Sequence, residues 1–215
     1  MFDLLGCSHT AICIISDILV KIYEDEISIR IVKNIEDNDD RPFKLKTLKY
    51  EEINFNNWAP SPEIKIFIGV MNVEPKIIVY KFFNERNLIN FEKYCNLIHP
   101  GAYIGENVIT KNGILICAGS VVEPFTEVGN LVTINRNVSI GHHNKISDFC
   151  TINPGANIAG GCEIEEGVTI GMGAIIFDGV KIGKNTIVGA GSLVTGDLPE
   201  NVTAYGSPAK VIREN

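Results

Sequence analysis

A six-residue repeat runs through the second half of the chain and constrains its fold more than any other feature. Counted in steps of six from Ile98 to Val194, sixteen of seventeen positions are isoleucine or valine, and only Thr110 departs. Four residues after each aliphatic position the side chain is usually small or branched, as at Ala102. A period of six fits neither a helix nor a long strand, but three short strands and three corners close a triangular coil. The repeat therefore predicts a prism of about six stacked coils over residues 98–199.

The repeat also predicts which residues stack on one another, because three repeats of six place residues 18 apart in one column. The column through His142 contains Pro124, Gly160 and Asp178. Above His142 the segment Ala159-Gly160-Gly161 has almost no side chain, so we expect room there for a slender ligand. We also expect an exposed backbone N–H beside the imidazole, placed to stabilise an oxyanion. Glycine often follows the aliphatic residue directly, as at Gly141, and we expect it to relieve the corner.

Glycine and charge divide the chain into two domains with different construction. Only Gly6 and Gly69 of the 20 glycines precede residue 98, whereas 27 of the 45 charged residues lie in the first 97 positions. We predict one domain over residues 1–97, the prism after it, and a capping segment over residues 200–215.

The first domain has the pattern of a small α/β unit. A short apolar strand leads through Gly6-Cys7-Ser8-His9 into a helix whose apolar face contains residues from Ala11 to Ile22. Residues 27–32 and 64–70 read as further strands, and residues 75–86 as a helix that has Pro75 in its first turn. Alternating strands and helices predict a parallel sheet. The Gly6–His9 turn would then lie at a helix N-terminus, which favours phosphate, although a purely structural turn would look the same.

Composition excludes several classes of function. The net charge of −7 and the absence of basic clusters argue against nucleic-acid binding. The apolar stretch of residues 11–20 is interrupted by Asp17 and is too short to span a membrane, so no membrane partner is expected. The start of the sequence lacks a basic segment typical of a signal peptide, so we expect a cytoplasmic protein. The six cysteines have no metal-type spacing and are expected to be reduced and buried.

The adjacent pair His142-His143 is the most conspicuous candidate for chemistry in the prism. Three interpretations remain open: metal ligands, solvated corner residues, and a general base. A metal site would need a third ligand, and only Asp178 stacks in the same column, two coils away. We therefore expect no metal.

The combination of a short Rossmann-like domain, hexapeptide coils and the closing stretch "AYGSPAKVI" resembles the bacterial hexapeptide-repeat sugar acyltransferases. That family contains N-acetyltransferases of nucleotide-linked 4-amino-sugars and sialic acid O-acetyltransferases. The resemblance covers nearly the whole chain and is most specific in residues 135–161. It implies an α/β unit followed by a left-handed parallel β-helix, a homotrimer, and acetyl-CoA as co-substrate.

The resemblance also assigns roles to individual residues. It makes His142 the catalytic base and assigns acetyl-CoA contacts and nucleotide-sugar contacts. The acetyl-CoA contacts are Asn135, Thr151 (where some members have histidine), Gly160, Met172, Ala190 and Lys210. The nucleotide-sugar contacts are Gly6, Ser8, His9 and Asn72. Members usually have an acid directly after the base, whereas this chain has His143, a possible modulator. Because a second imidazole does not raise basicity as a carboxylate would, we expect His143 to matter much less than His142, and what orients His142 stays open.

These observations together predict an acetyl-CoA-dependent N-acetyltransferase acting on the 4-amino group of a UDP- or dTDP-linked deoxy-amino-sugar. Transfer is expected to be direct, without an acylated cysteine. Sialic acid O-acetylation and a non-enzymatic nucleotide-binding solenoid remain the alternatives.

Overall fold

The computed structural model describes residues 1–24, 27–34, 44–46, 48–87 and 89–215. The chain forms two compact units, Met1–Leu97 and Ile98–Asn215. Among the described residues, no helix is both long enough and apolar enough to cross a membrane.

The first unit is built on a parallel four-stranded sheet. Its strands are β1 (Phe2–Leu5), β2 (Ser28–Lys33), β3 (Lys49–Asn54) and β4 (Lys65–Ile68), in the order β3-β2-β1-β4. All three pairings are parallel, as expected for a Rossmann-like unit. The sequence did not predict β3, because this edge strand is mostly exposed and four of its six residues are polar or charged, so it lacks an apolar run.

Two helices accompany this sheet. Helix α1 (His9–Tyr23) follows β1, and helix α2 (Val73–Asn87) follows β4. The predicted apolar face of α1 is buried except at Ile22, which is half-buried at the end of the helix. Pro75 lies in the first turn of α2. A backbone N–H in this turn would have no intrahelical acceptor, so proline costs the helix no hydrogen bond here. Short 3-10 turns at Phe55–Asn57 and Phe91–Lys93 complete the unit.

A buried charge cluster holds the centre of the sheet. The Asp3 side chain, on β1, is fully buried. Arg30, on β2, donates to both carboxylate oxygens at 2.7 Å, and the Trp58 indole N–H donates to one of them at 2.7 Å. The hydrogen bond to Asp3 raises the pKa of Arg30 above its ordinary value. The carboxylate is therefore satisfied only while both donors are present.

Replacing Asp3 with alanine should lower the free energy of unfolding by about 3 kcal/mol, since the half-buried Arg30 guanidinium and the buried Trp58 N–H would both lose their acceptor. Chemical denaturation monitored by Trp58 fluorescence measures this loss. Asp17→Ala, on the exposed side of α1, is the control and should change stability by less than about 0.5 kcal/mol. Equal stability of the two variants would contradict a structural role for the Asp3 cluster.

The second unit is a prism with three flat faces, and each face is a sheet of short strands that pair in parallel, apart from the last strand. The eight-stranded face contains β5 (Leu97–Ile98), β8 (Leu115–Ile116), β11 (Thr133–Ile134), β14 (Thr151–Ile152), β17 (Thr169–Ile170), β20 (Ile187–Val188), β22 (Val202–Gly206) and β23 (Ala209–Glu214). The six-stranded face contains β6 (Tyr103–Ile104), β9 (Val121–Val122), β12 (Ser139–Ile140), β15 (Asn157–Ile158), β18 (Ile175–Ile176) and β21 (Leu193–Val194). The five-stranded face contains β7 (Ile109–Thr110), β10 (Glu127–Val128), β13 (Lys145–Ile146), β16 (Glu163–Ile164) and β19 (Lys181–Ile182).

The strand register confirms the predicted coil. Residues 18 apart pair directly, for example Ile140 with Ile158. The repeat aliphatics fill the interior, and the small residues four positions later, such as Ala156 and Cys162, are fully buried beside them. The prism is a left-handed parallel β-helix. Its last strand, β23, pairs antiparallel with β22 at the end of the eight-stranded face.

The corners differ from the expectation in the role of glycine. The glycine that directly follows the aliphatic residue has no left-handed backbone, but a Cβ there would collide with the next coil, as at Gly141, where it would lie 2.9 Å from the Ala159 carbonyl carbon. The left-handed residue comes two positions later, and it is glycine at some corners and Asn137, His143 or Leu131 at others. Glycine after the aliphatic therefore permits close stacking, whereas the turn itself needs the left-handed residue.

Two of the flat faces differ in their outward side chains. On the five-stranded face, Glu127, Lys145, Glu163 and Lys181 are in register and alternate in charge. On the six-stranded face, the first residue of each strand is uncharged, from Tyr103 to Leu193. The six-stranded face is therefore the less hydrophilic of the two.

None of the six cysteines, all of which lie in the described residues, forms a disulfide. Cys117, Cys150 and Cys162 are buried, and Cys7 and Cys95 are half-buried. The expectation of burial is wrong for Cys13, which lies on the exposed side of α1.

Candidate active site

An open cleft of about 460 Å³ lies on the six-stranded face and the corner that follows it. Its lining residues are Glu123, Ser139, Gly141, His142, Asn157, Ile158, Ala159, Gly160, Ile175, Ile176, Phe177 and Asp178. Three members of the predicted column, His142, Gly160 and Asp178, lie here together. The stacking of residues 18 apart thus brings a base, a bare backbone and a carboxylate to one place.

Gly160 provides the space that the His142 imidazole occupies. A Cβ built on Gly160 would lie 2.7 Å from Cε1 of His142 and 3.1 Å from Nε2. The backbone of Gly160 is not left-handed, so glycine is required here by the imidazole and not by the turn. The edge of the ring therefore rests against the backbone of the next coil.

The exposed N–H expected beside the imidazole already has a hydrogen-bond acceptor in this arrangement. The Gly160 N–H donates to Oδ1 of Asp178 at 3.1 Å, while those of Ala159 and Gly161 donate to carbonyl groups of Ile176 and His142. The prediction was wrong because the repeat shows which backbone groups stack but not which side chain reaches them. The Asp178 side chain is exposed, so its carboxylate can turn away from the Gly160 N–H.

His142 has an orienting partner in its neighbour. Nδ1 of His142 lies 3.0 Å from Nδ1 of His143, within hydrogen-bond distance. The two rings are nearly perpendicular, at 86°. This pairing occupies Nδ1 of His142 and does not involve Nε2.

Two of the predicted acetyl-CoA contacts are not at this cleft. Asn135 and Thr151 are 6% and 2% exposed, so their side chains are not available to a ligand there. Thr151 belongs to the eight-stranded face, and Asn135 follows a strand of that face. Both side chains are covered within the chain, and their contacts with acetyl-CoA stay predictions.

Of the other predicted cofactor residues, Gly160 lines the cleft, whereas the remaining three lie outside its lining but are accessible. Met172 and Ala190 are exposed and stack at the corner where the chain enters β18 and β21. Lys210 is exposed on β23. Their contacts with acetyl-CoA stay predictions.

The predicted nucleotide-sugar residues gather at one edge of the four-stranded sheet. Gly6 has a left-handed backbone, Ser8 precedes the first residue of α1, His9, and Asn72 precedes α2. Strands β1 and β4 are parallel neighbours, so both helices begin at the same sheet edge. The Ser8 N–H donates to the Gly69 carbonyl oxygen at 3.2 Å and links the two loops. In open parallel sheets, ligands bind where the strand order reverses, which here is between β1 and β4.

Sequence reasoning missed several residues of the cleft. Glu123, Ser139 and Asn157 line it, and the Ser139 hydroxyl and Asn157 amide are groups that can donate hydrogen bonds. Ser139 and Asn157 pair in register as the outward residues of β12 and β15. The 18-residue spacing could have found them had it been applied to the strand positions as well as to the corner.

Cys162 lies beneath the cleft and is unsuited to act as a nucleophile. It is fully buried, and its thiol donates to the Phe177 carbonyl oxygen at 3.1 Å. Burial raises the pKa of the Cys162 thiol. A buried protonated thiol is unreactive, because the thiolate is the nucleophile. Within the described ranges, no three His, Cys, Asp or Glu residues are grouped to hold a metal ion.

Comparison with known proteins agrees with this architecture. Residues 161–196 match the family described as bacterial transferase hexapeptide (six repeats). Comparison with curated protein sequences gave no match.

Solved structures match nearly the whole chain. The acetyltransferase domain of PglB from Neisseria gonorrhoeae in complex with acetyl coenzyme A is 22% identical, with a TM-score of 0.81 and 98% of both chains covered. PerB from Caulobacter crescentus in complex with CoA and GDP-perosamine is 23% identical, with a TM-score of 0.79, 99% of this chain and 96% of that chain covered. WeeI from Acinetobacter baumannii is 20% identical, with a TM-score of 0.79 and 99% of both chains covered. The chain therefore carries the bacterial transferase hexapeptide repeat within a fold that it shares with these solved structures.

Proposed function

We propose that this protein transfers the acetyl group of acetyl-CoA to the amino group of a nucleotide-linked amino-sugar. The observation that carries the proposal is the cleft in which His142, oriented through Nδ1, lies against the bare backbone of Gly160. The likeness in fold to acetyltransferases solved with acetyl-CoA or with CoA and GDP-perosamine supports it.

The chemistry follows from the groups that line the cleft. Nε2 of His142 takes one proton from the neutral sugar amine while the amine nitrogen attacks the thioester carbonyl carbon. The C–N bond forms, the C–S bond breaks, and the imidazolium returns its proton to the departing thiolate. An amide and coenzyme A result. Attack on the thioester carbonyl places negative charge on its oxygen, and the Gly160 N–H can stabilise this oxyanion when the Asp178 carboxylate turns away.

The charge of the cleft favours an amine over a sugar acid. Glu123 and Asp178 contribute two carboxylates to the lining, and the basic side chain among the lining residues is His142. A protonated sugar amine is attracted to this environment before it loses its proton, whereas the carboxylate of a sialic acid would be repelled. This observation favours N-acetylation over the O-acetylation alternative.

The first unit supports a nucleotide-linked substrate. The α1 and α2 N-termini face one sheet edge, where the N–H groups of the first helical turn and the helix dipoles favour a diphosphate. The sequence favours a UDP- or dTDP-linked sugar, whereas the Caulobacter structure contains GDP-perosamine. An assay with all three nucleotides identifies the nucleobase of the substrate.

A thiol-release assay tests the proposal. Acetyl-CoA would be offered with 4-amino-sugars linked to UDP, dTDP and GDP, with the same sugars unlinked, and with sialic acid. We expect thiol release to require an amino-sugar linked to a nucleotide. Release with sialic acid alone would replace N-acetylation by O-acetylation, and no release with any acceptor would favour a binding solenoid.

Direct transfer predicts that Cys162→Ala keeps kcat within about threefold of the wild-type value, because a lost buried thiol removes packing but no reacting group. Steady-state rates, with mass spectrometry of the protein after acetyl-CoA addition, provide the measurement. An acetylated protein, or a collapse of kcat in a folded Cys162→Ala variant, would show a covalent route instead.

We further propose that the active form is a homotrimer. The uncharged six-stranded face, with its exposed Tyr103 and Ile175, is suited to contact with another chain, and such contact would exclude water beside the cleft. Sedimentation should give about three times the 23.6 kDa chain mass, and dilution that separates the chains should abolish activity. A fully active monomer would contradict this assembly.

A further inference from the structure

The backbone of His143 is fixed by its place in the coil. It occupies the left-handed corner position, with φ of 55°, and its N–H donates to the Pro124 carbonyl oxygen at 3.1 Å. Equivalent corner positions contain Asn107, Asn137 and Leu131, all left-handed. The corner thus accepts several residue types, and the structure of the turn does not require histidine.

The ring of His143 is held from one side by an aromatic residue. Phe125 lies 18 residues earlier and occupies the same left-handed corner position on the preceding coil. The two rings stack with centroids 4.9 Å apart and planes 27° from parallel. Stacking restricts rotation of the His143 ring, so its Nδ1 has a defined direction.

That direction is toward His142. The distance of 3.0 Å between the two Nδ1 atoms requires one donor and one acceptor. A base at Nε2 of His142 needs a lone pair there, which places the proton of neutral His142 on Nδ1. His142 then donates from Nδ1, His143 accepts at Nδ1, and the proton of His143 lies on its own Nε2.

We infer that His143, clamped by Phe125, is a positioning residue that fixes His142 in the tautomer with a free Nε2. This inference rests on the proposed function. It assigns His143 the orienting task that an acid after the base has in the resembling family, a larger role than the sequence alone predicts for His143. The residue acts through His142, since it does not line the cleft.

Three substitutions at position 143 distinguish the contribution of the hydrogen-bond acceptor from that of the left-handed turn. In asparagine and aspartate, Oδ1 lies at the position that Nδ1 has in histidine, and both residues tolerate a left-handed backbone. Leucine has a similar size but no acceptor, and Leu131 shows that this backbone accommodates it. We expect His143→Leu to lower kcat about tenfold, the worth of one hydrogen bond, with KM for acetyl-CoA unchanged. His143→Asn and His143→Asp should recover most of the loss.

The pH profile provides a second readout that a structural role would not move. A carboxylate beside His142 favours its protonated form, so the acid limb of kcat should lie at higher pH in His143→Asp than in His143→Asn. The other carboxylates facing the cleft, Glu123 and Asp178, are the same in both variants and cancel in the comparison. Equal acid limbs in these two variants would overturn the contact between residues 142 and 143.

Ring-nitrogen NMR of histidine-labelled protein tests the inference without any substrate. The free protein with both imidazoles neutral should show His142 protonated at Nδ1 and bare at Nε2, and His143→Leu should lose this preference. A His142 protonated at Nε2 in the wild type would overturn the inference even if the enzyme acetylates amino-sugars. If the tautomer is as inferred and no amino-sugar is acetylated, the proposed function is wrong while the inference about the tautomer of His142 stands.

Discussion

Replacing His142 with alanine should lower kcat by roughly 10²–10⁴-fold, the usual contribution of a positioned general base. The methyl group leaves the space over Gly160 empty and disturbs no core residue, so acetyl-CoA binding should be nearly unchanged. Steady-state kinetics and calorimetric titration with acetyl-CoA measure the two quantities. Added imidazole should restore part of the rate in the variant, because it supplies a base of the same chemistry.

The thermal transition of His142→Ala is the control for this experiment, since His142 is an exposed corner residue outside the core. It should stay within a few degrees of the wild type. A variant that keeps wild-type kcat would remove His142 from the mechanism.

A single methyl group at Gly160 should be nearly as damaging as the loss of the base. The added Cβ would lie 2.7 Å from Cε1 of His142, so the imidazole must leave its position and lose its alignment with His143. We expect Gly160→Ala to lower kcat by about 10²-fold or more, since the base is displaced from the reacting atoms. Gly160→Val should in addition weaken acetyl-CoA binding by narrowing the cleft.

The chain offers a matched control in the same column. Gly196 occupies the equivalent corner position two coils later, and a Cβ there would meet no atom within 4 Å. Gly196→Ala should leave kcat and the thermal transition unchanged. If Gly160→Ala is equally silent, the imidazole is not held against that backbone during turnover.

The repeat predicted most of the prism because its period is set by local packing. Inward aliphatics six apart and small residues four positions later are sufficient for a triangular coil, and the stacking of His142 under Gly160 follows from the coil length. The sequence pattern of the first unit likewise predicted three of four strands. The strand that was not predicted, β3, is an edge strand whose side chains are mostly solvated, so its sequence contains no apolar run.

What the repeat could not predict depends on side-chain direction. Asp178 was known to stack in the column, but its hydrogen bond to the Gly160 N–H depends on a rotamer. The contact between His142 and His143 likewise depends on the left-handed turn at His143 and on the Phe125 stack. Asn135 and Thr151 were assigned by resemblance, which does not show which outward positions of a coil are covered.

A crystal structure with coenzyme A and the nucleotide-linked amino-sugar selected by the thiol-release assay would test the role of the His142 cleft. We expect the sulfur of coenzyme A to lie in the cleft over Gly160 and the sugar amine to lie within hydrogen-bond distance of Nε2 of His142. A cofactor sulfur bound at another corner of the prism, or an amine held by a different residue with Nε2 facing solvent, would contradict it.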